Sequence, residues 1–145
     1  SDAAAAGARA LVRFVEQLPG DGTVTVIGHS YGSLVWAYAA PELPPRVTDL
    51  VAIGSPGLDV RRASELRTTA RVWAGRAPGD WTRWLPPVRI LGLGHGADPV
   101  ATEFGAYRLD VGDAAGHDGY FQPSSRSLAS LAAVASGSHG GRGAG

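Results

Sequence analysis

The sequence predicts an α/β fold in which about four mostly parallel strands are covered by helices on both faces. Short runs rich in β-branched residues, such as 23–27 and 47–53, alternate along the chain with segments of helical periodicity. Prolines and glycines separate these runs, as in Pro19-Gly20 and Pro44-Pro45. Because parallel strands need crossover connections, this alternation is typical of a parallel sheet.

The predicted elements follow one another in a regular order. Leu11, Val15 and Leu18 recur at helical spacing, which predicts a first helix over 3–18. The other predicted elements are strands at 23–27, 47–53, 71–77 and 107–111 and helices at 30–40, 61–68 and 125–135. The run 88–93 is ambiguous, because it is strand-like but flanked by prolines and glycines. Gly137 is placed to cap the last helix.

Composition excludes several classes of function. Thirteen basic residues balance thirteen acidic ones, so the chain has no basic stripe for a nucleic acid. The absence of cysteine excludes disulfides, thiolate catalysis and Cys-ligated zinc, and we expect neither a metal nor a cofactor. No apolar run approaches the roughly 18 residues of a membrane span.

The boundaries of the chain carry two further expectations. The sequence contains no methionine and opens on Ser1-Asp2, so we expect a processed or truncated piece of a longer protein. Any signal peptide would lie upstream, which leaves the cellular location open. We interpret 1–137 as one partial domain and expect the Gly-rich tail 138–145 to be disordered.

The pentapeptide Gly28-His29-Ser30-Tyr31-Gly32 joins a predicted strand to a predicted helix. This arrangement is typical of the nucleophile elbow of serine hydrolases. We expect both glycines to let strand and helix approach closely while Ser30 adopts a strained backbone that exposes its hydroxyl. The backbone N–H of Tyr31, at the positive end of the helix, would then face a developing oxyanion.

A serine nucleophile needs a base, and the chain has four histidines. His29 lies inside the elbow, where it is expected to shape the pocket or pack, and His139 lies in the tail. His95 is flanked by glycines. His117 lies between the last predicted strand and the last helix, which is where the base of such a fold belongs. We therefore expect His117 to be the base.

The acid of a Ser-Asp-His triad should lie between the serine and the histidine in the chain. We favour Asp80, which follows the strand at 71–77, over the alternatives Asp98 and Asp59. The choice between the first two depends on whether 71–77 or 88–93 is the penultimate strand. Asp118, beside the expected base, is interpreted as a surface carboxylate.

Three tryptophans lie between the second and the last predicted strands. Trp73, Trp81 and Trp84 could line an apolar acyl pocket, or they could pack the connector onto the sheet. The sequence favours neither interpretation.

Several motifs in a fixed order carry a family resemblance. They are GHSYGS (28–33), IGSPG (53–57), GHGADP (94–99), FGA (104–106) and GHDGYF (116–121). This series resembles an uncharacterised bacterial α/β-hydrolase family known as a domain of unknown function in high-GC bacteria. The resemblance covers nearly the whole chain except the tail, and it implies an α/β-hydrolase fold with Ser30 as nucleophile and His117 as base. It implies no particular substrate.

We expect the chain to correspond to the C-terminal half of such a fold. The loop that supplies the second oxyanion donor would then lie outside this sequence, and we expect an N-terminal half to be required in cis or in trans. Loss of one such donor costs about 10²–10³ in kcat, and a half-sheet exposes an unpaired edge. We therefore expect the isolated chain to be poorly stable and nearly inactive.

The sequence predicts a serine hydrolase that acts on an ester or related small-molecule acyl substrate through a covalent acyl-enzyme. The same residues could pass the acyl group to an alcohol, which would make an acyltransferase. The alternative from another class is a catalytically silent binding module with an α/β-hydrolase-like fold.

Overall fold

A four-stranded parallel sheet lies between helices in the computed structural model, which describes residues 2–86 and 95–138. The strands follow one another across the sheet in chain order, and every neighbouring pair is parallel. The helices and strands are α1 (Asp2–Gln17), β1 (Val24–His29), α2 (Tyr31–Ala39), β2 (Val47–Ile53), β3 (Arg71–Gly75), β4 (Tyr107–Arg108) and α3 (Arg126–Ala135). The predicted α/β fold class is confirmed.

Helices cover both faces of the sheet. Leu50 of β2 belongs to a buried cluster that includes Val15 of α1 and Trp36 of α2. Val51, the next residue, points to the opposite face and packs in a second cluster with Leu131 of α3. Because both faces of β2 are buried, its sequence is a nearly continuous apolar run rather than an alternating one.

One predicted helix is wrong. The segment 61–68 forms only a short 3-10 turn, Ala63–Leu66. Arg67 adopts a left-handed conformation with φ 50° and ψ 48°, which ends the turn before a second one can form. A single turn fixes several dihedral angles for few hydrogen bonds, so a helix stopped at this point gains little stability.

The last two strands are shorter than predicted. β3 ends at Gly75, and β4 contains only two residues. The N–H of Leu109 still donates to the carbonyl of Ala74 at 3.0 Å. After Leu109 the chain passes over Gly75. A β-carbon placed on Gly75 would lie 3.0 Å from Cγ2 of Val111. The absence of a side chain at Gly75 therefore lets this segment leave the plane of the sheet.

The C-terminus of α3 confirms the predicted cap. Gly137 has φ 74°, and its N–H donates to the carbonyl of Val134 at 3.1 Å. The N–H of Ser138 donates to the carbonyl of Ala133 at 2.9 Å. This pair of bonds is the Schellman motif, which places glycine at the left-handed position after a helix.

Two expectations fall outside the described residues: the ambiguous run 88–93, and the tail beyond Ser138. Within the residues that are described, no helix is long and apolar enough to cross a membrane. The parallel strands end along one edge of the sheet, so the loops after β1, β2, β3 and β4 meet there.

Candidate active site

Ser30 occupies the sharp turn between the end of β1 and the start of α2. Its backbone angles are φ 54° and ψ −126°, close to those of the first central residue of a type II′ turn, a position dominated by glycine. A non-glycine residue held in such a region stores about 1–3 kcal/mol of strain. The N–H of Ser30 donates to the carbonyl of Ile53 in β2 at 2.9 Å, which holds the strained residue against the sheet. The strain predicted at this position is therefore present.

The two glycines of the turn differ in what they contribute. A β-carbon on Gly28 would lie 2.6 Å from both N and Cα of Ser33, so the close approach of β1 and α2 requires glycine there, as predicted. A β-carbon on Gly32 would have no neighbour within 4 Å. The packing role predicted for Gly32 is wrong, because this residue lies on the exposed side of the first turn of α2.

His117 and Asp80 form a hydrogen-bonded pair at the same edge of the sheet. Nδ1 of His117 lies 2.9 Å from each carboxylate oxygen of Asp80. The carboxylate is fully buried, while the imidazole is 14% exposed. Asp80 follows β3, which is the penultimate strand of the sheet that residues 2–86 and 95–138 form. Of the three candidate acids, Asp80 is the one that the fold brings to His117.

Hydrogen bonds from two further residues hold the Asp80 carboxylate. Oδ1 accepts from the N–H of Thr82 at 2.9 Å and from its hydroxyl at 2.7 Å, and Oδ2 accepts from the hydroxyl of Tyr120. Burial on its own raises the pKa of Asp80, but the hydrogen bonds from Tyr120, Thr82 and His117 outweigh it and hold the pKa below its usual value. The carboxylate is thus ionised although it is buried.

Sequence reasoning missed both of these partners. Tyr120 is fully buried, and its hydroxyl also accepts from the N–H of Ala77 at 2.9 Å. Burial and the adjacent Asp80 carboxylate raise the pKa of Tyr120 above its usual value, so the phenol stays a donor. The available signal was weak: Tyr120 lies three residues after His117, and the Asp80-x-Thr82 spacing is typical of a side chain that bonds the backbone two residues on.

His29 connects the turn at Ser30 with the loop that carries His117. Its Nε2 lies 2.7 Å from the carbonyl oxygen of His117, and the two imidazole rings are 4.6 Å apart. This agrees with the expectation that His29 shapes the site. Within the described part of the chain, the hydroxyl of Ser30 makes no hydrogen bond.

The alternative acids have other partners. Asp98 forms a bidentate ion pair with Arg76, with nitrogen–oxygen distances of 2.6 and 2.9 Å. Asp59 accepts from the hydroxyl of Tyr38 at 2.7 Å and lies 3.2 Å from Nδ1 of His95. Within the described ranges neither carboxylate bonds to the imidazole of His117, so the structure gives both a different role.

The tryptophans are divided between core and surface. Trp73 is buried, donates to Asp49 at 2.9 Å and packs on the ring of Tyr107, so it belongs to the core. Trp84 is exposed with the guanidinium of Arg83 over its ring. Trp81 is half-exposed, and its ring lies 5.0 Å from that of His117. Of the three, only Trp81 contacts the candidate site.

No group of three or more potential metal ligands is found among the described residues.

Comparison with known proteins agrees with this architecture. The profile of a family described as alpha/beta hydrolase matches residues 1–90. The uncharacterized protein Rv2079 of Mycobacterium tuberculosis strain H37Rv is 32% identical over 148 aligned positions, which cover 81% of this chain and 22% of that protein. The uncharacterized protein Rv0963c of the same strain is 48% identical over 46 positions, which cover 32% of this chain and 17% of that protein.

The chain therefore spans about a fifth of the length of the curated relatives that it matches. The uncharacterized protein Mb0988c of Mycobacterium bovis is likewise 48% identical over 46 positions, which cover 32% of this chain and 17% of that protein. No solved structure matches the chain significantly.

Proposed function

The chain belongs to the α/β-hydrolase family, and on that premise we propose that it is a serine hydrolase acting on an ester or related acyl substrate. Ser30 is the nucleophile, His117 the general base and Asp80 the acid that orients the base. The observation that carries the proposal is the hydrogen bond between the buried carboxylate of Asp80 and Nδ1 of His117. The loop that carries His117 is anchored by His29 to the strained turn at Ser30.

In the proposed reaction, Oγ of Ser30 attacks the carbonyl carbon while Nε2 of His117 takes the hydroxyl proton. The tetrahedral intermediate collapses, and the bond to the leaving alkoxide breaks as His117 returns that proton to it. A water molecule then attacks the acyl-serine, again giving its proton to His117. As the second intermediate collapses, the bond from the acyl carbon to Oγ of Ser30 breaks and His117 returns the proton to Oγ, which releases a carboxylic acid and restores both residues.

Asp80 sets the tautomer of the base. When Nδ1–H of His117 donates to the carboxylate at 2.9 Å, Nε2 is the ring nitrogen with a free lone pair. The carboxylate also stabilises the imidazolium that forms in each step. In free enzymes the contact between nucleophile and base is often long, and it tightens when substrate binds. We expect the same of Ser30 and His117.

The oxyanion would be held first by the backbone N–H of Tyr31, the first residue of α2. We further propose that the second donor comes from a segment in cis or in trans that pairs with β1. The supporting observation is that β1 forms the edge of the described sheet while its residues are already partly buried. Without that segment, the 145-residue chain should show turnover about 10²–10³ lower than the full-length protein.

Hydrolysis of p-nitrophenyl acetate and butyrate by the full-length protein tests the proposed function. Ser30→Ala and His117→Gln should each lower kcat/KM by at least about 10³-fold with an unchanged fold. Ser64→Ala, at an exposed serine outside the site, is the matched control and should retain wild-type rates. Wild-type hydrolysis by Ser30→Ala would refute the proposal, as would the absence of any serine-dependent hydrolysis in a folded protein.

A further inference from the structure

Asp80 and three other polar residues at the candidate site are buried and connected through hydrogen bonds. Ser33 and Asp80 are 0% exposed, Thr82 is 2% exposed and Ser55 is 3% exposed. Burying a polar group costs free energy unless it is hydrogen-bonded, so each must have defined partners. The cation that connects them is Arg76, the residue that directly follows β3.

Arg76 uses all three guanidinium nitrogens, and its side chain is only 10% exposed. Nε donates to the hydroxyl oxygen of Thr82 at 3.1 Å, and one terminal nitrogen donates to the carbonyl of Ser55 at 3.1 Å. Both terminal nitrogens donate to Asp98 in a fork-to-fork pair. Arginine suits this role because its planar donors can hold several acceptors in one fixed geometry.

The guanidinium of Arg76 and the carboxylate of Asp80 together fix the orientation of the Thr82 hydroxyl. Thr82 has a single hydroxyl proton, and the guanidinium can only donate. The Thr82 hydroxyl oxygen therefore accepts from Arg76, and its proton points to Oδ1 of Asp80 at 2.7 Å. A Thr82 hydroxyl without this constraint could rotate away and leave Asp80 with one donor fewer.

A second branch runs toward the nucleophile. The Ser33 hydroxyl lies 2.7 Å from the carbonyl oxygen of Ser30 and 2.7 Å from the hydroxyl of Ser55. The carbonyl of Ser55 is in turn held by Arg76. The same guanidinium thus contacts the residues that support Asp80 and those that support Ser30.

We propose that Arg76, neutralised by Asp98, is a positioning residue that aligns Asp80 with His117 through Thr82. The role rests on the proposed hydrolase function, and it gives Asp98 a place in the site other than that of the triad acid. Arg76 does not touch the substrate. It acts by keeping the supporting hydrogen bonds in one arrangement, which catalysis requires to within fractions of an ångström.

Asp98 supports this role because its ion pair holds the guanidinium in place. Its carboxylate accepts from both terminal nitrogens of Arg76, at 2.6 and 2.9 Å, which keeps the side chain of Arg76 in one orientation toward Thr82 and Ser55.

The test compares Arg76→Met, Arg76→Lys and Asp98→Asn in the full-length protein, with ethyl fluorophosphonate labelling and p-nitrophenyl ester hydrolysis as readouts. Arg76→Met should lower kcat by about 10²-fold with KM changed by less than about threefold. Arg76→Lys keeps the positive charge but cannot form the bidentate pair with Asp98, so it should retain part of the kcat that Arg76→Met loses. Arg61→Met, at an exposed arginine, is the matched control with wild-type rates.

The separate effects on kcat and KM and the partial rescue by lysine distinguish this role from a merely structural one. Asp98→Asn removes the partner that holds the guanidinium, so it should also lower kcat with KM changed by less than about threefold. Wild-type kcat in Arg76→Met, or an Arg76→Lys variant no faster than Arg76→Met, would overturn the proposal. If Arg76→Met does not fold, Arg76→Lys and Asp98→Asn decide it by the same criteria.

The labelling results also separate the proposed hydrolase function from the proposed role of Arg76. Absence of labelling of folded wild-type protein refutes the hydrolase function itself. Labelling of the wild type at Ser30 together with an unchanged labelling rate in Arg76→Met refutes only the role of Arg76.

Discussion

A β-carbon on Gly54 would lie 2.6 Å from Oδ2 of Asp80. The same atom would lie 3.0 Å from Nδ1 of His117, and Gly54 has φ 55°. Carbon and oxygen atoms that are not bonded do not approach so closely. The glycine that directly follows β2 therefore forms the surface against which the carboxylate and the imidazole rest, and the pair could not occupy its position beside any larger residue.

Gly54→Ala should disable the site without unfolding the protein. The added methyl group displaces the Asp80 carboxylate or the His117 ring, and a displacement of about 1 Å lowers kcat by about 10²-fold. The left-handed backbone adds a destabilisation of about 1 kcal/mol or more. Ester hydrolysis and thermal unfolding of the full-length protein measure the two effects.

Gly22→Ala is the matched control for this substitution, since a β-carbon there meets nothing within 4 Å and the turn lies outside the site. It should retain wild-type turnover and stability within about 0.5 kcal/mol. Wild-type turnover in Gly54→Ala would show that the Asp80–His117 geometry is not needed.

Asp80→Asn should lower kcat by about 10³–10⁴-fold while leaving the shape of the site intact. An amide at this position can donate to Nδ1 of His117, which would leave the proton on Nε2 and the base in the wrong tautomer. Asp118→Asn is the control, because Asp118 is the exposed neighbour of His117. Steady-state kinetics of both variants check the prediction, and equal losses would count against Asp80 as the triad acid.

The stability of the fold should fall at acid pH, in part through Asp80. Burial raises the pKa of this group, but its hydrogen bonds from Tyr120, Thr82 and His117 lower it further than burial raises it. A carboxyl whose pKa is lower in the folded state stabilises the protein above its unfolded pKa of about 4. That contribution is lost as the pH falls through the folded pKa.

Urea unfolding of wild type and Asp80→Asn between about pH 5 and pH 2.5 measures this contribution. The free energy of unfolding of the variant should decline less steeply over that range. Asp49, which is buried and bonded to Arg71 and Trp73, also has a lowered pKa, so Asp49→Asn should flatten the profile independently. Parallel profiles for Asp80→Asn and wild type would contradict the assignment of an ionised Asp80.

Ser30→Gly should be more stable than Ser30→Ala. Glycine adopts φ 54° and ψ −126° without the clash that a β-carbon causes, so relief of strain exceeds the entropic cost of glycine by about 1 kcal/mol. Both variants lack the hydroxyl and should be inactive. Thermal unfolding ranks them, and a lower midpoint for Ser30→Gly would show that the turn at Ser30 stores no strain.

The features that sequence could predict are those decided over short distances. The strained strand-to-helix turn at Ser30 and the cap at Gly137 depend on a few adjacent residues, and both backbone conformations are observed. Among the candidate acids the sequence favoured Asp80, but it left Asp98 and Asp59 open because the choice depended on which run forms the penultimate strand. Among the described strands, β3 at Arg71–Gly75 takes that place, and it brings Asp80 to an imidazole 37 positions away.

The supporting residues could not be predicted for the same reason. Tyr120 reaches Asp80 across 40 positions, and Arg76 reaches Asp98 across 22. For Tyr120 the local pattern offered only its closeness to His117 in the chain, and for Arg76 it offered no indication of Asp98. The helix predicted at 61–68 is wrong for a different reason. The residues favour a helix, but the left-handed conformation of Arg67 ends the helical turn after Leu66.

Mass-spectrometric mapping of a fluorophosphonate adduct on the full-length protein is the most direct test of Ser30 as an activated nucleophile. The adduct should fall on the peptide that contains Ser30, should disappear in Ser30→Ala, and should form at least about 10²-fold more slowly in His117→Gln. An adduct on another residue, or a folded wild-type protein that forms none, would contradict the proposed triad of Ser30, His117 and Asp80.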